Sequence, residues 1–281
     1  MSALPALIAA ALRRRPDPDR LDQRDLALME ALVEPVLAAA RAWYGLELTG
    51  LNHIPDGPAL IVGNHDSGMT FLEAIGWGAA IHAARPGEAW LGLTHDGIID
   101  MPGVGGLMLS VGAVRARPDL ALAALRAGHK VVVFPGGNTE AFRPWARRYE
   151  VDLAGRTGWA RLAIEAGVPV VPVVFCGGHR SFVVLSDNRW LARALGLHQR
   201  LRVDTWPLWL GLPWGLMLGP MFHVPLPVKV RTAMLAPEPT AHLTEHDAQA
   251  LADRVTSRMR EAMHRLARLP GDAGPFGPSR R

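Results

Sequence analysis

Three short stretches of the 281-residue chain hold residue types suited to proton transfer at a hydroxyl. In the first, IVGNHDSGMTFLEA at 61–74, an apolar run ends in Asn64 and His65, and a turn with Ser67 and Gly68 follows. Imidazole titrates near neutrality, so a histidine held at the end of a buried strand can take a proton from a hydroxyl and hand it on. Such a base needs an orienting group that sets its tautomer and stabilises the imidazolium. Asp66, Glu73 and Glu140 are the candidates. Asp66 adjoins His65, where neighbouring side chains diverge, whereas Glu73 falls in the first turns of the next helix and can fold back, so Glu73 is favoured. A plainer role for His65 is to cap that helix or pack at the sheet edge.

The second stretch is VVVFPGGNTEAF at 131–142. Pro-Gly-Gly directly after a strand lets the backbone turn tightly and points N–H groups at a ligand carbonyl or phosphate. Gly136, Gly137, Asn138 and Glu140 are therefore candidate substrate-binding residues, with Arg143 just beyond. The plain alternative makes Glu140 an acid in the first turn of a helix. The third stretch is Gly177-Gly178-His179, at the end of another valine-rich run.

These stretches must be positioned by strands and helices in alternation. PALIVGN, EAWLGLT, VGAVRA, KVVVFPGG and VPVVPVVF read as strands, and LELTGLNHIP as a short strand and turn. Helices are expected over 21–44, kinked at Pro35, over 70–83, over PDLALAALRAG closed by Gly128, and over GRTGWARLAIEAG closed by Gly167. Valine runs without polar alternation imply an α/β fold, with a largely parallel mixed sheet flanked by helices on both faces. In such sheets ligands gather at the carboxyl ends of the strands, where the three stretches fall. A last amphipathic helix, 244–269, opens with Thr244 and Asp247 spaced as a capping box. The chain divides into a helical extension (1–45), a main domain (46–235), a C-terminal helix (236–269) and a disordered tail (270–281).

Composition narrows the classes of function. The single Cys176 excludes an internal disulfide and a cysteine-based zinc site, so a reducing cytoplasm is the default. The formal charge of +4 is almost wholly arginine and suits anionic headgroups or phosphorylated ligands. Nucleic acid is not an expected partner, because no basic stripe is interleaved with aromatics. The N-terminus puts its apolar stretch before its arginines, the reverse of a secretory signal. His-Asp pairs at 65, 95 and 246 invite a metal-dependent phosphohydrolase, but that class mounts its ligands on helices, and no metal is expected. Neither a Gly-x-Ser-x-Gly elbow nor a nucleotide-binding glycine loop is present.

In order along the chain, GNHDSG, VGAVRAR, ALRAGHKVVVFPGGNTEAFR and GRTGWARLAIEAGVPVVPVVFCGG resemble the successive blocks of the glycerolipid acyltransferase superfamily, over roughly 46–235. The resemblance implies that His65 deprotonates an acceptor hydroxyl for attack on an acyl thioester, with acyl-CoA or acyl carrier protein as co-substrate and no further cofactor. It also implies that Arg115, Arg117, Arg143 and His179 join the glycines in binding substrate. The family's His-x4-Asp motif is broken by Thr70, and the Glu of its Phe-Pro-Glu-Gly motif is Gly136. Phe-Pro-Gly-Gly followed by Glu140 is closer to the branch that acylates diacylglycerol, monoacylglycerol and other neutral alcohols. The acceptor is then a membrane lipid, either lysophospholipid or neutral glycerolipid. A catalytically silent lipid-binding protein on the same scaffold, or an acyl thioesterase, are the alternatives.

One stretch remains. TWPLWLGLPWGLMLGPMFHVPLPV, 205–228, holds no Asp, Glu, Lys or Arg, and its five prolines rule out a simple spanning helix. Its Trp206, Trp209 and Trp214 favour the membrane-water interface. The expectation is a peripheral or monotopic protein at the cytoplasmic face of a membrane, with this segment dipped into one leaflet. An apolar hairpin buried in the core is the alternative.

Overall fold

The computed structural model describes residues 3–15 and 17–270, apart from the side chains of Leu72 and Glu73. The tail expected to be disordered therefore falls, beyond residue 270, outside the described residues.

Two helices open the chain, α1 (Leu4–Arg13) and α2 (Leu26–Tyr44). Asp25 caps α2 by accepting from the Leu28 N–H at 3.0 Å, and Gly45 ends it in the left-handed region at φ 45°. Pro35 lies inside α2. There follow β1 (Glu47–Thr49), β2 (Ala59–Gly63), α3 (Leu72–Ala84), β3 (Trp90–Thr94), α4 (Asp96–Ile99), α5 (Val104–Ser110), β4 (Ala113–Arg115), α6 (Pro118–Arg126) and β5 (Lys130–Val133). Next come α7 (Gly137–Ala141), α8 (Gly158–Ala166) and β6 (Val170–Cys176). Then follow β7 (Val183–Ser186), α9 (Arg189–Ala194), α10 (Leu197–Leu201), β8 (Leu208–Gly211), β9 (Gly215–Leu218), β10 (Arg231–Met234) and α11 (Ala248–Ala267).

Seven strands form one sheet in the order β1-β10-β6-β2-β5-β3-β4. The run from β6 to β4 is parallel, and β10 joins β6 antiparallel. Successive side chains on a strand face opposite layers. Leu60 and Val62 of β2 point to a core shared with α6, α8 and α11, whereas Ala59 and Ile61 pack with Trp77 and Ile81 of α3. Both faces are thus covered, which is why β2 and β6 are apolar at every position. Along α11, Leu251, Val255, Met259 and Met263 recur at helical spacing and are buried. Its start carries the expected capping box between Thr244 and Asp247.

A second sheet, β7-β8-β9, is antiparallel and stands apart from the first. The segment expected to lie in a leaflet is therefore a hairpin. Its prolines at 207, 213 and 220 sit beside the strands rather than within them, so no ladder hydrogen bond is lost. Trp209 is fully buried, and its indole donates to the Gly219 carbonyl at 2.8 Å. This corrects the assignment of Trp209 to a membrane contact. Trp206 is half-buried and Trp214 is exposed. No helix among the described residues is long and apolar enough to cross a membrane.

Candidate active site

The strand ends of β6, β2 and β5 are adjacent in the sheet and point the same way, so the three sequence stretches converge. Asn64 prolongs the β2–β6 pairing with its side chain, accepting from the Phe175 N–H and donating to its carbonyl, both at 2.9 Å. This fixes the exit of β2 and leaves His65 half-buried at the rim. The His65 ring stacks on Phe134, with centroids 4.3 Å apart, and lies 6.2 Å from Phe71. Phe134 is the first residue of the Phe-Pro-Gly-Gly block, so that block forms the floor beneath His65. Sequence reasoning missed this role. The aromatic stood in the motif, but only the pairing of β2 with β5 sets it under the imidazole.

Glu140 holds the loop itself. Its Oε2 accepts from the His65 main-chain N–H at 3.1 Å, its Oε1 from the Asp152 N–H at 3.1 Å, and Arg143 Nη1 lies 3.1 Å from Oε1. Burial pushes the Glu140 carboxyl up to about 7, against the opposing pull of Arg143, the two N–H groups and His65. The same burial lowers the Arg143 guanidinium, which Glu140, Asp66, Asp152 and Glu150 stabilise. Gly136 is required here, since a Cβ on it would lie 2.3 Å from Glu140 Oε2. Gly137 takes φ 52°, a left-handed turn that glycine adopts freely. Asn138 donates to Thr205 Oγ1 at 3.0 Å and so ties α7 to the segment leading into β8.

Asp66 turns inward. One of its oxygens accepts from the Gly178 N–H at 2.8 Å, which locks the loop after β2 to the loop after β6. His179 is buried in the tight turn Gly178–Ser181, near the main-chain carbonyls of His65 and Glu140, and burial lowers it well below the usual histidine range. Thr70, where the motif aspartate would stand, donates to the Ser67 carbonyl at 2.7 Å and closes the turn Gly68–Thr70. Glu73 lies in the first turn of α3, and its side chain is outside the described residues.

Two expected ligand residues are placed elsewhere. Arg115 meets Asp19, Asp96 and Asp100, and Arg117 meets Asp19 and Asp119. Both belong to the end of β4, three strands from β2 and so about 14 Å away at ordinary strand spacing. Arg143 is fully buried as the counter-ion of Glu140 rather than turned toward an open site. A polar cavity of about 670 Å³, lined by Thr139, Asp152, Arg156, Arg189, Arg193 and Asp204 among others, opens beside α7 and does not include His65.

Fold and site define an α/β protein with a histidine at the carboxyl ends of parallel strands. Residues 45–176 match the family described as Acyltransferase, and the chain belongs to that family, as an acyltransferase of the glycerolipid superfamily. An uncharacterized protein of Mycobacterium tuberculosis is 30% identical over 278 residues, spanning 95% of this chain and 75% of that protein. The human "DGAT1/2-independent enzyme synthesizing storage lipids" is 26% identical over 234 residues, spanning 83% of this chain and 65% of that enzyme. The crystal structure of the 1-acyl-sn-glycerophosphate acyltransferase PlsC from Thermotoga maritima shares the fold, with a TM-score of 0.55 at 15% identity over 95% of this chain and 90% of that one.

Proposed function

We propose that the chain transfers a fatty acyl group from an acyl thioester, on CoA or acyl carrier protein, to a hydroxyl of a neutral glycerolipid. His65 is the general base. Its imidazole takes the hydroxyl proton as the alcohol oxygen attacks the thioester carbonyl; the C–O bond forms, the C–S bond breaks, and the imidazolium returns the proton to the departing thiolate. The observation that carries this reading is the position of His65, half-exposed at the strand ends, stacked on Phe134 and held through its main chain by Glu140.

The preference for a neutral acceptor over a phosphorylated one rests on the arginines. Arg115, Arg117 and Arg143, the arginines of the family blocks expected to bind substrate, are each committed to carboxylates. Gly136 leaves no room for the motif glutamate while Glu140 stands where it does. The name of the human relative, an enzyme synthesizing storage lipids, agrees with this choice.

The test is incubation of purified protein with labelled acyl-CoA or acyl carrier protein and either diacylglycerol or lysophosphatidate. Label should enter the neutral acceptor. His65→Ala should lower transfer by about 10² to 10⁴-fold while its thermal unfolding stays near wild type. Transfer chiefly to lysophosphatidate would overturn the choice of acceptor. Label found only in free fatty acid would make the protein a thioesterase, and a near-normal rate in a folded His65→Ala variant would remove His65 from the mechanism.

A further inference from the structure

The antiparallel sheet β7-β8-β9 has two unlike faces. Cross-strand pairing sets Leu208 opposite Leu218 and Leu210 opposite Leu216, with Trp209 opposite Met217 between them. Trp209 and Met217 turn inward to a core that includes Phe142, Phe182 and Met69. Leu210, Leu216 and Leu218 turn outward and are 48%, 60% and 52% exposed. At the hairpin tip, Trp214 donates to the Phe222 carbonyl at 2.7 Å, and both rings stay exposed beside Val224. Among the described residues, twelve of the seventeen exposed large apolar side chains lie between Leu185 and Val224. Scattered apolar side chains need no explanation, but a contiguous face of this kind marks an interaction site.

We propose that this outer face docks on a phospholipid bilayer with anionic headgroups, a proposal that rests on the lipid-acceptor reading above. Charge selects the bilayer over a protein partner. The connection between β7 and β8 leaves and rejoins the sheet at the Ser186–Leu208 pair, the end opposite the Trp214 tip, and carries Arg189, Arg193, Arg200 and Arg202. Its acids are already engaged: Asp187 meets Arg147 and Arg189, and Asp204 meets Arg156 and His198. Arg193 and Arg200 are exposed, with no carboxylate partner among the described residues. From Trp206 to Val228 the one titratable side chain is His223, which is buried and held neutral, its pKa pushed down to about 4 by that burial. An uncharged apolar face with free arginines at one end matches acyl chains bordered by headgroup phosphates. A second copy of the face would offer those arginines no anion.

The inner face explains why docking here serves catalysis. Met69 follows the His65 loop, and Ala141 and Phe142 end the Phe-Pro-Gly-Gly helix; all three share the core beneath the sheet. A Cβ on Gly68 would lie 2.8 Å from Phe182 and 3.2 Å from His223, so the His65 loop rests directly on this sheet. The bilayer surface is thereby set one sheet layer away from the His65 loop.

Full-length protein should co-sediment with phosphatidylcholine vesicles, and more tightly when phosphatidylglycerol is added, with the added affinity lost as salt is raised. Leu210→Ser/Leu216→Ser/Leu218→Ser should weaken binding to both vesicle types by about tenfold or more. Arg193→Glu/Arg200→Glu should abolish the preference for the anionic vesicles, again about tenfold. Both variants should turn over a detergent-dispersed acceptor within about twofold of wild type, since neither touches the His65 loops. Wild type that ignores vesicles, or a leucine variant that binds them as wild type does, overturns the proposal. A leucine variant that turns a dimer into a monomer with vesicle binding unchanged assigns the face to a second copy. Should the triple variant not fold, Leu216→Ser alone, at the most exposed of the three, must still bind measurably less, and equal binding overturns the proposal. Acyl transfer in detergent without vesicle binding removes docking and leaves the transferase reading; vesicle binding without transfer does the reverse.

Discussion

Glu140 shows how one buried carboxylate can govern a histidine without touching its ring. Its two oxygens accept main-chain N–H groups from His65 and Asp152, and Arg143 supplies the counter-charge in a site without solvent. Glu140→Gln keeps the shape but sets an amide NH2 against one of those N–H donors and leaves Arg143 without its nearest anion. Breaking a buried pair in this way costs about 3–5 kcal/mol. As a positioning residue, Glu140 should affect kcat more than KM, because it is fully buried and offers no surface to a ligand. A second consequence concerns pH. With its pKa raised from 4.5 to about 7, the folded protein binds more protons than the unfolded chain between those values. Stability from this group is therefore full below the unfolded value and falls as pH rises through about 7, by at most about 1.4 kcal/mol per pH unit. Burial of His179 and His223 in neutral form acts in the opposite sense below about pH 6.5, so the decline is read as a difference. In thermal melts the stability of wild type relative to Glu140→Gln should fall as pH rises from 5.5 to 7 and level off above. A difference between the two proteins that stays flat over the same range would mean that Glu140 is ionised throughout. The sequence marked Glu140 as an acid that could orient a partner, but its target, a backbone N–H 75 residues away, follows only from the neighbouring of β2 and β5.

At the level of elements, three loops form one site because glycines allow backbone and carboxylate to meet. A Cβ on Gly178 would lie 2.3 Å from Asp66 Oδ1, so Gly178→Ala must push the β6 loop away from the β2 loop. The variant should lose about 1–3 kcal/mol, as overpacked sites do, and should lose activity because the His65 loop shifts with Asp66. Gly158→Ala is the control: nothing lies within 4 Å of the added carbon, and a helical alanine should leave stability equal or raise it by up to about 1 kcal/mol. Urea denaturation of the two variants checks the contrast, and equal small effects would mean that the Asp66–Gly178 contact does not hold the loops. The parallel core was readable in the sequence because strands buried on both faces leave valine runs such as VPVVPVVF, and helices close on Gly167. The short helices α4, α5, α9 and α10 and the strands β7 to β10 were not. They are four to seven residues long, and in β8 and β9 the flanking prolines and glycines mask an alternation only four residues deep.

Across the whole molecule, the second sheet meets α7 and the His65 loop through one small core, and the two tryptophans of the hairpin differ in their place about it. Sequence alone gave Trp209 and Trp214 the same interfacial role, since both fall in an uncharged run; Trp209 faces inward through its strand register, which a shift of one residue would reverse, whereas Trp214 lies in the turn between β8 and β9. Trp209 lies in contact distance of Phe182, 5.9 Å between ring centroids, and of His223, 5.3 Å, and it is fully buried. Trp214 is 53% exposed at the tip. Trp209→Ala should therefore cost about 3–5 kcal/mol through the cavity it leaves. Because Met69, Ala141 and Phe142 share that core, turnover in detergent should fall as well, even at temperatures where the variant remains folded. Trp214→Ser should leave unfolding within about 0.5 kcal/mol of wild type, as surface substitutions do, and should leave turnover in detergent unchanged. Chemical denaturation with a parallel rate measurement separates the cases. If Trp209→Ala destabilises the protein but the folded fraction keeps its full rate, the second sheet is a scaffold without influence on the His65 loops, and the coupling drawn through Gly68, Phe182 and His223 is wrong.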